Sequence, residues 1–181
     1  MTENSNGPGV VHVPPGGGRT VWLHGEAVKF YAVGEDTGGA FTLFEQNVEP
    51  QGGSMPHKHR HEDQSFWALE GDFELVCDGR VFDLKVGGFM HVPRGTVHAF
   101  ENVGTTPGRI LILSGPAGAT ERFFFEVGEE ASDASSPPPV ADPPDVFEQL
   151  AIMKSYDMEV DTLALLQQPS TKPSPGRGDT R

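Results

Sequence analysis

Short apolar runs broken by Gly, Pro and Asp fill residues 10–127. Their spacing predicts strands at 20–24, 27–33, 40–47, 55–61, 64–69, 72–77, 80–84, 89–92, 97–102 and 109–114. Turn chemistry falls between them, at Gly38-Gly39, Gly52-Gly53, Glu70-Gly71-Asp72, Asp78-Gly79, Gly87-Gly88, Arg94-Gly95 and Thr106-Pro107-Gly108. Asp78-Gly79, between Phe73–Cys77 and Val81–Leu84, carries the strongest hairpin signal, because both turn positions tolerate a positive φ. Many short strands at this spacing predict an all-β sandwich or barrel and not a parallel sheet.

The pattern changes at both ends. Residues 1–9 are a polar tail expected to be disordered, and 10–13 read as a short N-terminal strand. Residues 128–145 are acidic and rich in Pro and Ser, the composition of an extended linker. From Asp145, a plausible N-cap, Val146, Phe147, Leu150, Ile152 and Met153 follow at helical spacing, which places a C-terminal helical segment at 146–166. Residues 167–181 are again Pro, Ser, Gly and charge, and are expected to be disordered. The single domain is therefore expected at 10–127, without internal repeats.

Composition agrees: among 181 residues there are 23 Gly and 16 Pro, which suits strands and turns better than helices. A net charge of -13, with no basic stripe, excludes a polyanion as an expected partner. The lone Cys77 excludes an intramolecular disulfide and reads as a small buried hydrophobe. The polar N-terminus does not read as a signal peptide, and no stretch reaches membrane-spanning length, so the expected compartment is the cytoplasm.

The chemistry begins at His57-Lys58-His59. On a strand, residues two apart project to the same face, so the two imidazoles can share a metal ion. The surrounding segment runs from Pro56 through His57, His59, Gln64 and Gly71, and a second one runs from Gly87 through Pro93, Gly95 and His98 to Asn102. Together they resemble the paired motifs of the cupin superfamily, an HxH followed by an acidic ligand and a glycine, then PxGxxHxxxN. The resemblance implies a double-stranded β-helix, or jelly-roll barrel, with one divalent ion inside, held by His57, His59 and His98. Fe, Mn, Ni, Co, Cu and Zn all remain candidates. Pro93 and Gly95 would shape the turn that delivers His98, while Asn102 and Gly71 would be structural.

One position departs from the family pattern. Gln64 stands where a Glu is usual, so the fourth ligand would be a neutral amide oxygen or a group that orients substrate. Three imidazoles and an amide leave the ion its full charge, which favours an anionic oxygen ligand such as an enolate, phenolate or carboxylate. A Gln cannot act as general base. Alternation turns Asp63 to the opposite face, Glu62 shares the parity of Gln64 but lies near a loop, and His61 reads as solvent-facing.

By the same alternation Phe66 and Phe100 flank the metal, where they either give the cup an aromatic lining for a small molecule or serve as plain barrel core. Phe123-Phe124-Phe125 reads as core or interface packing on a late strand. Over residues 10–160 the layout is similar to bacterial single-cupin proteins of the quercetin 2,3-dioxygenase-like group. This implies a metal-dependent dioxygenase acting on a flavonol-like or other enolic or phenolic small molecule. The alternatives are a non-redox isomerase, cyclase or lyase and a non-catalytic binding cupin. Resemblance also implies a homodimer, to which the strand at 10–13 or the C-terminal helix would contribute unless they fold back over their own barrel.

Overall fold

In a computed structural model, residues 9–23, 25–131 and 146–167 are described, with side chains omitted at 146–149 and 165–167. The expected tails and most of the expected linker lie outside these residues. Twelve strands form two antiparallel sheets among the described residues. The seven-stranded sheet contains β1 (Arg19–Leu23), β2 (Glu26–Ala32), β3 (Thr42–Val48), β5 (Asp63–Glu70), β8 (Phe89–Val92), β10 (Gly108–Gly115) and β11 (Glu129–Glu130). Its order is β11-β1-β2-β3-β10-β5-β8. The five-stranded sheet contains β4 (His57–His59), β6 (Phe73–Cys77), β7 (Arg80–Leu84), β9 (His98–Asn102) and β12 (Met158–Val160), in the order β12-β4-β9-β6-β7. Four helices accompany them: α1 (Gly34–Thr37), α2 (Ala119–Val127), α3 (Val146–Ser155) and α4 (Thr162–Gln167). No helix among the described residues is long and apolar enough to cross a membrane.

Alternation builds the core. In β10 every second residue is buried, so Ile110 and Ile112 point inward and Ser114 follows on the same side. Phe30, Phe44 and Phe66 join them from strands of the same sheet, and Phe73, Leu75 and Phe100 from strands of the other. Burying each such side chain contributes roughly 1.5–3 kcal/mol. The ten predicted strands all form, with ends shifted by at most two residues. The exception in length is the strand expected at 55–61, which shrinks to His57–His59. At the predicted hairpin Asp78 and Gly79 have φ of 46° and 75°, and Cys77 pairs with Arg80. This is the primed turn that matches strand twist.

Asn102 is fully buried. Its amide donates to the carbonyls of Val48 and Thr106 and accepts from Gly104 N–H, so the last residue of the second motif ties three chain segments and points no atom at the site.

Three expectations need correction. Residues 10–13 form no strand, and Val10 and Val11 are exposed, because β11 already pairs with the edge of β1. The segment expected as linker from 128 opens instead with that edge strand, Glu129–Glu130. The run Phe123-Phe124-Phe125 lies on the helix α2 and not on a strand. A residue distant in sequence supplies its N-terminal cap, as described below. The C-terminal segment is helical over α3, as expected, but it also contains β12, which zips onto β4 and brings this part of the chain back over its own barrel.

Candidate metal centre

β4 is short, and both of its edges are used. β9 lies on one side with His57 opposite His98, and β12 on the other with Met158 opposite His59. Lys58 turns outward to Glu159, 2.9 Å away. His57 and His59 turn inward, as period-two geometry requires, and the turn before β9 presents His98 beside them. That turn is tied to β4 by Gly95 N–H donating to the His59 carbonyl at 2.8 Å. The three imidazoles are 8 %, 3 % and 3 % exposed, and each offers a nitrogen within 4.8 Å of the other two.

The hydrogen bonds behind the rings fix what faces the cup. His57 Nδ1 lies 2.7 Å from the Met55 carbonyl, and His98 Nδ1 lies 3.0 Å from the Thr96 carbonyl. A carbonyl only accepts, so both Nδ1 atoms carry the proton and both Nε2 atoms present a lone pair. His57 Nε2 and His59 Nε2 are 3.1 Å apart. If His59 carries its proton on Nδ1, two lone pairs confront each other. If it carries it on Nε2, a lone pair on Nδ1 faces the Glu62 carboxylate at 3.5 Å. Either tautomer leaves one repulsive contact that a cation between the Nε2 atoms removes. The donor set therefore fits a divalent ion, with nitrogens spaced about as two ligands at roughly 2.1 Å from one metal require.

Gln64 approaches from β5, its Oε1 2.9 Å from His98 Nε2 and its Nε2 donating to Ser114 Oγ at 2.9 Å. With the amide turned this way, a fourth acceptor atom joins the three imidazoles. Burial, reinforced by His98 and His59, holds the His57 imidazole well below its ordinary pKa. Burial likewise pulls His98 down to about 4. Both rings are then neutral near pH 7, the state in which imidazole ligates metal.

The neighbouring acids separate as alternation requires. Asp63 faces outward and accepts from Arg94 Nε at 2.9 Å, and that guanidinium pulls its carboxyl down to about 2. His61 is exposed. Glu62, by contrast, is 3 % exposed and accepts from the N–H groups of Ala119 and Thr120, with the Thr120 hydroxyl also donating to it. Burial pushes this carboxyl up, but the bonds from Thr120 and the nearness of His59 outweigh it and hold it below the usual range.

A cavity of about 240 Å³ opens onto His57, His59 and Gln64. Phe100, Phe44, Ile112 and Leu23 form the barrel side of its wall, with Gln46 and Thr120 as polar positions. Phe123 and Phe124 of α2, Met153 of α3 and Met158 of β12 close the other side. Gly53 sits at its edge with φ 153°, where a Cβ would come within 1.9 Å of the Phe100 carbonyl, so only glycine fits.

Of the two phenylalanines expected to line the cup, Phe100 lies on this cavity wall and Phe66 does not. Phe66 lies behind the site, edge-on to His98 at 5.9 Å between ring centroids and 1 % exposed, and is not on the cavity wall. Sequence reasoning did not place Phe123, Phe124, Met153 or Met158 in the wall. The aromatic run was the one available signal.

Residues 44–114, which hold all three histidines, match the cupin domain family. The quercetin 2,3-dioxygenase of Bacillus subtilis is 26 % identical over 129 residues, covering 71 % of this chain and 38 % of that protein. The Aspergillus japonicus quercetin 2,3-dioxygenase is 26 % identical over 129 residues, covering 66 % of this chain and 36 % of that protein. This chain therefore spans less than two fifths of either enzyme. The structure of KdgF from Halomonas sp. superposes with a TM-score of 0.50 at 19 % identity, covering 59 % of this chain and 94 % of that one, which shows the shared fold. The domain match, the two-sheet barrel and the buried histidine cluster together identify residues 44–114 as a cupin domain, in a chain that resembles quercetin 2,3-dioxygenases.

Proposed function

We propose that this protein is a metal-dependent dioxygenase acting on a compact enolic or phenolic molecule, flavonol-like in its reacting part. The observation that carries the reading is the convergence of His57 Nε2, His59 Nε2, His98 Nε2 and Gln64 Oε1 at one end of an apolar, aromatic-walled cavity. A divalent ion held there would supply Lewis acidity and favour the deprotonated form of an oxygen ligand. None of the described residues on the wall is Asp or Glu. Gln64 takes no proton, and Glu62 is occupied by its donors from α2. The substrate therefore enters as an anion or loses its proton to solvent, which suits acidic hydroxyls. Phe100, Phe123 and Phe124 pack against its ring, and Met153 and Met158 exclude water from above. The volume lies under the roughly 300 Å³ at which drug-sized pockets begin, which favours one or two rings over a larger substrate.

The test is oxygen uptake by protein loaded in turn with Fe, Mn, Ni, Co, Cu and Zn, against flavonols, catechols and enolic diketones. Metal-dependent uptake with at least one class supports the proposal. Metal bound without oxygen uptake from any of them, or turnover that proceeds anaerobically, overturns it.

A further inference from the structure

His59 Nδ1 is buried and has no hydrogen-bond partner of ordinary length. One acidic oxygen faces it, Glu62 Oε2 at 3.5 Å. That carboxylate is 3 % exposed and fully engaged on its other side, where it accepts from Ala119 N–H at 2.5 Å, Thr120 N–H at 3.1 Å and the Thr120 hydroxyl. It therefore sits at the N-terminus of α2, where unpaired amides and the helix dipole favour an anion. Its place in the sequence, two residues before Gln64 and on the same parity, makes it the one acid near the motif that turns inward.

We infer that Glu62 is a positioning residue for the metal centre, a carboxylate that orients His59 from behind and supplies the negative charge that Gln64 does not. This inference rests on the metal site proposed above. The geometry sets the role. Glu62 faces Nδ1 and not Nε2, so it does not compete for the ion. A carboxylate on the far nitrogen fixes the tautomer that points a lone pair into the cup and raises the basicity of the ring. The donors from α2 hold the carboxylate in place, so the helix that walls the cavity with Phe123 and Phe124 also anchors the ligand's support.

The experiment compares Co²⁺ affinity, by competition with a chelator, and the Cu²⁺ electron paramagnetic resonance spectrum in wild type, Glu62→Gln and Thr120→Val. Loss of a carboxylate behind a ligating histidine costs about 10–100-fold in metal affinity, and Glu62→Gln is expected in that range with altered copper parameters. Thr120→Val removes one donor from α2 to Glu62 but keeps the charge, and is expected to stay within about threefold of wild type. Equal losses in both variants, or an unchanged affinity and spectrum in Glu62→Gln, would show that Glu62 merely caps the helix and would overturn the inference. Should Glu62→Gln fail to fold, the imidazole ¹⁵N shifts of metal-free wild type decide the matter. A proton on His59 Nδ1 supports the role, and a proton on Nε2 overturns it. A wild type that binds no metal retires the function proposed above, and the ¹⁵N shifts then decide the question for Glu62 alone.

Discussion

The cup has a floor and a roof of different origin. The floor is His57, His59, Gln64, His98 and Phe100, all carried by strands of the two sheets. The roof is Phe123 and Phe124 on α2, Met153 on α3 and Met158 on β12, all of which come after β10 in the chain. Floor residues are placed by backbone period and register, so their spacing is constrained at every position. Roof residues on the two helices are placed by packing, where any apolar group of suitable volume serves, and Met158 alone in the roof is set by strand pairing. Chemistry should therefore fail with floor changes, and selectivity and stability with roof changes.

The sharpest break is His98→Ala. Apparent binding of about 10–16 kcal/mol shared among four ligands puts one ligand at roughly 2.5–4 kcal/mol, so metal affinity should fall on the order of a hundredfold. Chelator competition measures this, and a normal far-ultraviolet circular dichroism spectrum should show the barrel intact. Next comes acid. In the metal-free protein His98 is held down to about 4 in the folded state, against an ordinary value of 6.5. Below pH 6.5 the unfolded chain takes up a proton that the folded one refuses, so stability falls between pH 6.5 and 4 and is full above that window. Each unit of depression is worth about 1.4 kcal/mol, and urea unfolding at several pH values reads the slope. His57 acts in the same direction.

A roof change follows in size. Phe124→Ala removes contacts with Phe30 and Phe44, whose ring centroids lie 5.9 and 5.4 Å away. It should lower stability by about 2–3 kcal/mol, since the ring is only partly buried, while leaving metal affinity within about threefold. Smallest is Asp63→Asn. Asp63 pairs with Arg94 on the outer surface, so metal affinity should not change measurably although it adjoins Gln64. A hundredfold effect there would erase the distinction between inward and outward acids.

The same division explains what could be read in advance. The ten barrel strands and the shared face of His57 and His59 follow from turn residues and parity, which act over a few positions, whereas the arrival of His98 beside them was implied by the resemblance to the paired cupin motifs. The helix α2 was misread as a strand because three consecutive phenylalanines favour strand locally, while the acceptor for its first amides, Glu62, lies 57 and 58 residues away. β12 has only three residues and no flanking pattern, and it exists because β4 offers a free edge. Phe66 shares parity with Gln64, but the barrel is several layers deep. Alternation gives the side of the sheet and not the depth, and so it placed Phe66 in the wall when only Phe100 reaches it.

The strand bearing two of the histidines is stitched along one margin to His98's strand and along the other to residues 158–160. Anything that stiffens β4 must then slow the breathing of a segment a hundred positions further along the polypeptide, and by thermodynamic reciprocity peeling that segment away must loosen the grip of the imidazoles. The carboxyl-terminal stretch is in this sense a clasp on the cup, and its amide exchange should report whether the cup is filled.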